Sequence, residues 1–450
     1  MPQTRTAPYG SWASPITSDL IVASTIGLGE VAIDGADVYW LEIRPQEGGR
    51  SVLVRRAADG TISDVTPPMP EAGRPAFNLR TRVHEYGGGA FLVGGGTVYF
   101  CNDADQRLHR HEPGATPAAI TPDPGAPRGL RYADGTIDPA RRRMIWVSED
   151  HTTGAAQPVN RLVEVPLDGP APPRVLQSGR DFYAAPRFSP DGTRLAWLEW
   201  DHPLMPWVGC ELWAAEIAAD GSLGRKRRVA GGGDESICQP EWSPDGRLYF
   251  VSDRAQTGLA GRWWNLFRVG GDALSDAAPV EPLWPLAAEF GRPHWNFRGS
   301  TFAFVSAHEL VCSYIEAGIH RLARIDLASL ETRPLATPYQ DISSVRAKGG
   351  RVYFRGGAPS EPAAIVELDL ATARSTVLRR STEQDIAVYR GYLSNPEPVT
   401  FATDGGAQAH GLFYPPHNRD FAAPAGELPP LIVHCHGGPT AAASATLSWG

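Results

Sequence analysis

The residues with the most direct chemical meaning lie near the end of the chain, where Leu431-Ile432-Val433-His434-Cys435 runs into His436-Gly437-Gly438-Pro439-Thr440. The apolar run predicts a short strand, and the two glycines after it leave backbone N–H groups that no side chain shields. Amides aimed at one point stabilise the negative charge that develops on a carbonyl oxygen during acyl transfer. One such donor contributes roughly 3–4 kcal/mol at the transition state. Gly437 and Gly438 are therefore the expected oxyanion donors, with His436 supporting their turn. A metal site here is not expected: on a strand His434 and His436 share one face and Cys435 takes the other, so the three do not converge on one ion. No serine in the 450 residues sits in a Gly-x-Ser-x-Gly elbow, the arrangement that would expose a nucleophile beside such a turn.

Three further stretches could meet a substrate. His84, Glu85 and Tyr86 precede Gly87-Gly88-Gly89, which predicts an irregular turn. There Glu85 could hold the free amino terminus of a peptide and Tyr86 could flank its first side chain; the alternative is a solvated turn. Asp201-His202-Pro203-Leu204-Met205-Pro206-Trp207 is too apolar for an idle loop tip. This loop, with His202 and Trp207, either faces a following domain or lines a pocket; the alternative is that Trp207 tucks under its own repeat. Asp234-Glu235-Ser236 is a second candidate for amine recognition, with a solvated turn as the alternative. Trp263-Trp264 is expected to pack between repeats, and His308 and His320 are assigned no role.

The elements that must position these residues repeat along the chain. A turn followed by a short strand closing on an aromatic recurs, as in Ser189-Pro190-Asp191-Gly192…Trp197 and Ser243-Pro244-Asp245-Gly246…Phe250. The closing aromatics are Trp40, Phe100, Trp146, Trp197, Phe250, Phe304 and Phe354, a period of about fifty residues. Pro presets φ and Gly accepts φ > 0 in each tight turn, while β-branched and aromatic residues fill the strands. Each copy is followed by further strands such as Leu212–Ile217 and Ile365–Leu368, so a period holds four strands, the size of one propeller blade. The fold class is accordingly mainly β: a seven-bladed β-propeller over residues 26–393, after an N-terminal extension over 1–25.

Beyond residue 393 the pattern changes. Val399-Thr400-Phe401, the turn Asp404-Gly405-Gly406 and His410–Tyr414 predict a hairpin, followed by a Pro/Gly-rich loop and the strand into His436. These read as the opening of an α/β-hydrolase domain over 394–450, incomplete here. Ala441 to Trp449 could begin the next element, a helix.

Composition excludes several classes. Apolar residues make up 42% and charged residues 20% of the chain, and its net charge is −8, which disfavours nucleic acid as a partner. Arg225-Lys226-Arg227-Arg228 is the compact basic cluster and reads as a solvated hairpin. The cysteines Cys101, Cys210, Cys238, Cys312 and Cys435 are scattered and odd in number, which fits a reducing compartment and no zinc site. There is no signal segment at Met1–Leu20 and no apolar run long enough to span a membrane. A cytoplasmic protein without cofactor or metal is expected.

A propeller of this size before Pro430–Val433 and His436-Gly437-Gly438-Pro439-Thr440 resembles the prolyl oligopeptidase family of serine peptidases. Within it, the resemblance is to the branch with acylaminoacyl peptidases and dipeptidyl-peptidase-like enzymes. His84–Gly89 and Asp201–Trp207 are similar to bacterial members of that branch. The resemblance implies a two-domain peptidase whose propeller restricts access to short peptides. In it a Ser, activated by His and oriented by Asp, forms an acyl-enzyme, and the Gly438 N–H is the implied oxyanion donor. It also makes a homo-oligomer plausible. Because Ser, Asp and His of the triad have no position in these 450 residues, they are not expected to turn over peptides alone. Two other readings stay open: a non-catalytic propeller that binds peptide or protein, and an esterase using the same hole.

Overall fold

The computed structural model describes residues 4–22, 25–67, 76–438 and 440–449. Seven four-stranded antiparallel sheets follow one another, each built from four consecutive strands. The first strand of each lies innermost: Gly27–Asp34, Phe91–Gly94, Leu130–Asp138, Phe182–Phe188, Ile237–Trp242, Phe302–Ser306 and Asp341–Lys348. These sheets are blades 1 to 7 of a β-propeller.

The turns behave as their residues require. Gly192 adopts φ 68° and donates to Ser189 O, and Gly246 adopts φ 83° and donates to Ser243 O. Asp191 and Asp245 accept from the Ser189 and Ser243 hydroxyls and so fix both turns. Trp40, Phe100, Trp146, Trp197, Phe250 and Phe354 are completely buried. They lie on second strands, where apolar clusters join neighbouring blades; one sets Ile145, Val147 and Leu162 of blade 3 against Tyr183, Leu195 and Trp197 of blade 4. Phe304 differs. It is half-buried on the inner strand of blade 6, because Gly299-Ser300 precedes that strand instead of forming its hairpin turn. The second strand there is Glu309–Glu316, where buried Cys312 pairs with Phe302.

The ring closes without exchanging a strand. Blade 1 packs Leu28, Val31 and Trp40 against Tyr353 and Ile365 of blade 7. Val31 N donates to Ser344 Oγ at 2.9 Å, and Ile26 N donates to Ser381 O at 2.8 Å.

The inner strands of blades 1, 3, 4, 5 and 7 each slip register near their middle. At four of these slips one residue takes positive φ: Asp134 (51°), Ala185 (52°), Gln239 (48°) and Ser344 (57°). Bulges re-aim side chains, and here they accompany a belt of charge around the bore. Arg187 bridges Asp134 (3.0 Å) and Glu241 (3.3 Å), and Arg298 meets Glu30 at 3.1 Å.

Beyond the blades, Glu397–Ala402 and Gln408–Phe413 form the expected hairpin. The first residues join this segment: Arg5–Thr6 pairs in parallel with Phe421–Ala422, and Tyr9 N donates to Glu427 Oε1. Two expectations fail. Leu431–Val433 is not a strand: its side chains are exposed and its backbone joins none of the sheets among the described residues. The alternate-face reasoning that separated Cys435 from His434 and His436 lapses with that strand. Ala441–Trp449 is not a helix. Its polar groups bond to the propeller instead: Ser444 Oγ and Thr446 Oγ1 to Asp341, and Leu447 N to Ala358 O. Among the described residues no helix is long and apolar enough to cross a membrane, and no group of His, Cys, Asp or Glu is arranged to hold a metal ion.

Candidate functional site

A cavity of about 750 Å³ opens at the mouth of the bore, on the face over which residues 440–449 run. Its walls are the starts of inner strands, including Leu28–Glu30, Ala184–Arg187 and Ile342–Ser344. Two chain segments lean inward over it: 84–89, which leads into blade 2, and 292–298, which leads into blade 6.

Glycine makes the first of these segments fit. His84 and Glu85 have φ of 51° and 65°, and Gly87, Gly88 and Gly89 follow at 69°, 92° and 57°. The two segments then join backbone to backbone. Phe297 N donates to Gly87 O at 2.9 Å, Gly88 bridges Phe297 in parallel, and Asp134 N donates to Gly89 O at 2.9 Å. This brace spans the bore between blades 2 and 6.

Aromatic rings cover it. Trp295 stands 4.2 Å from Trp207 and 4.8 Å from Tyr86, ring centroid to centroid. Asn296 Nδ2 donates to Tyr86 O. Beneath them the His84 ring meets Phe297 (4.8 Å), Phe182 (5.1 Å) and Trp200 (5.7 Å). Burial among these rings lowers His84 to about 4, so its imidazole is neutral at pH 7. Tyr86 and Trp207, far apart in sequence, are thus brought together through Trp295.

The other expected residues sit elsewhere. Glu85 is exposed, outside the cavity lining, and paired with Arg131 at 3.2 Å. His202 is exposed at the start of the loop whose far end carries Trp207; its N–H donates to Asp181. Glu235 pairs with Arg254 at 3.0 Å. Cys238 lines the cavity, but burial pushes its thiol up to about 12, so it is no nucleophile. Apolar walls, a charged floor and no activated nucleophile equip this cavity to seat a ligand.

Gly437 and Gly438 are exposed, and Gly438 has φ 68°. A Cβ at either would meet nothing within 4 Å. Pro439 lies outside the described residues. Two residues past Gly438, Thr440 Oγ1 accepts from Trp295 Nε1 at 2.8 Å. Farther along, Asp341 accepts from Ser444 at 2.7 Å and pairs with Arg292 at 3.1 Å. Burial alone would raise Asp341, yet Arg292 and the Ser444 hydroxyl hold it at about 2. His320, buried beside Arg292, is lowered to about 4.

Sequence reasoning missed Trp295, Arg292, Asp341 and the bore charges. Arg292-Pro293-His294-Trp295-Asn296-Phe297-Arg298 did carry a signal: two large aromatics in a segment linking two repeats.

No family model matches the sequence, and no curated protein matches it. Solved structures do. A puromycin-hydrolyzing peptidase of Mycobacterium tuberculosis is 35% identical with a TM-score of 0.88, over 98% of this chain and 66% of that one. A puromycin hydrolase is 34% identical with a TM-score of 0.87, over 99% of this chain and 67% of that one. The chain therefore spans about two-thirds of the length of these peptidases. A prolyl endopeptidase at 13% identity and a TM-score of 0.65 shares the fold. With a seven-bladed propeller ahead of a hairpin and a His-Gly-Gly segment, and with more than a third of its residues identical to one puromycin hydrolase, the chain belongs to the prolyl oligopeptidase family of serine peptidases.

Proposed function

We propose that this chain is the propeller and leading hydrolase portion of a serine peptidase that cleaves short peptides and aminoacyl amides through an acyl-enzyme. The division falls near residue 393, and the branch is that of acylaminoacyl and dipeptidyl-peptidase-like enzymes. The observation that carries the proposal is the placement of an aromatic-roofed cavity beside Thr440, two residues from Gly438.

In this reading Tyr86 and Trp295 take the apolar side chains of the substrate, Trp207 backs Trp295 from outside the cavity lining, and His84 supports them as a neutral ring. The Gly438 N–H meets the developing oxyanion. The nucleophile and its His–Asp partners belong to the remaining third of the family's length.

Puromycin is an aminoacyl amide, which makes it the natural probe. The full-length protein should release the aminonucleoside from it and should be labelled by a fluorophosphonate. Hydrolysis of esters without amides would move the assignment to an esterase. Binding of short peptides with neither labelling nor turnover would make it a non-catalytic binding propeller.

A further inference from the structure

The run that follows the two glycines is tied down almost entirely by the propeller. Thr440 is held by Trp295, Ser444 and Thr446 by Asp341, and Leu447 by Ala358. Trp449 is buried with Leu20 and Ile386. The bond nearest in sequence to Gly438 that links this turn to the propeller, among the described residues, is therefore Trp295 Nε1 to Thr440 Oγ1. Trp295 is itself fixed on three sides: Trp207 and Tyr86 flank its ring, and two residues on Phe297 is bonded into the brace across the bore.

We infer that Trp295 is a positioning residue for the oxyanion turn: through Thr440 it sets where the Gly437–Gly438 amides point, and it does so from the roof of the substrate cavity. A rigid indole held by packing is suited to this. Its N–H is a donor only and has one direction, so the acceptor hydroxyl, and the turn behind it, is placed to within a hydrogen-bond length. The inference rests on the peptidase reading for its effect on rate, but not for the contact itself.

Two substitutions in the full-length protein test it. Trp295→Phe keeps an aromatic ring against Tyr86 and Trp207 and removes the donor; Thr440→Val keeps the shape and removes the acceptor. Each should lower kcat for an aminoacyl amide about 5- to 20-fold, and in Thr440→Val, which leaves the cavity lining intact, KM should change by less than about twofold. The double variant should be no worse than either single one. Amide hydrogen exchange over residues 436–444 should quicken in both single variants. An unchanged kcat in either variant, a loss carried in KM in Thr440→Val, or losses that add would overturn the inference. If the unmodified protein turns over no substrate, the proposed function falls, and exchange decides alone: unaltered exchange in Trp295→Phe then overturns the positioning role.

Discussion

Gly88 has φ 92°, and a Cβ there would lie 2.6 Å from Phe297 O and 2.7 Å from Phe297 N. Its lack of a side chain is thus what lets two backbones meet across the bore, where they cannot easily move apart. Gly95 offers the control: its φ is 60°, but a Cβ on it meets nothing within 4 Å. Gly95→Ala should cost only the strain of a left-handed alanine, about 1 kcal/mol. Gly88→Ala adds an overlap with backbone and should cost about 3 kcal/mol or more. Denaturant midpoints of the two variants, measured side by side, check this; equal midpoints would mean the brace is not tight. The three consecutive glycines made the segment conspicuous in the sequence. What they could not reveal was which segment they approach, since that partner lies more than two hundred residues away.

Loops, more than strands, build the candidate site, and they differ in how much the sequence discloses. Repeating Pro-Asp-Gly turns and buried aromatics disclosed the blades, because each blade is a local hairpin array whose turns are chemically specified. The loop ending at Trp207 stood out because Trp and two prolines are costly at an idle tip. Trp295 did not, since its role depends on Tyr86, Trp207 and Thr440, all distant from it in sequence. In blade 6, Gly299-Ser300 imitated a hairpin turn and shifted the expected register by one strand. Leu431–Val433 shows the converse limit: an apolar run specifies a strand only where an edge waits for it. Buried histidines also set a pH response, two in these loops and His320 on the strand Ile319–Asp326. His84, His294 and His320 are each held near 4 by burial, against about 6.5 when exposed. The unfolded chain therefore binds more protons than the folded one between these values. Their stabilisation is complete above about pH 6.5 and is lost as pH falls toward 4. The urea midpoint should drop between pH 7 and pH 5, and His294→Gln should flatten that drop; an identical slope would remove His294 from the account.

Across the whole molecule, charge and apolar surface share the task of holding the blades in a ring. Aromatic and aliphatic residues fill the interfaces, while Arg187 links inner strands of blades 3, 4 and 5 and Arg298, in the segment before blade 6, reaches Glu30 of blade 1. Blades 1 and 7 complete the ring side by side, through Val31, Ile26 and the bridge of Thr25 to Thr382. Every blade is thus a continuous length of chain, and none is stitched from both ends. That has a mechanical meaning. If tension is applied through residues 25 and 382, the load falls first on this seam, and no hairpin has to be unravelled for it to part. The brace from Gly88 to Phe297 would then act as a tie-rod, keeping blades 2 and 6 in place after the ring has opened. A single-molecule pulling record should show one small early extension and, at higher force, steps of about one blade's length; a single event releasing the whole ring would mean that the seam is as strong as the blades it joins.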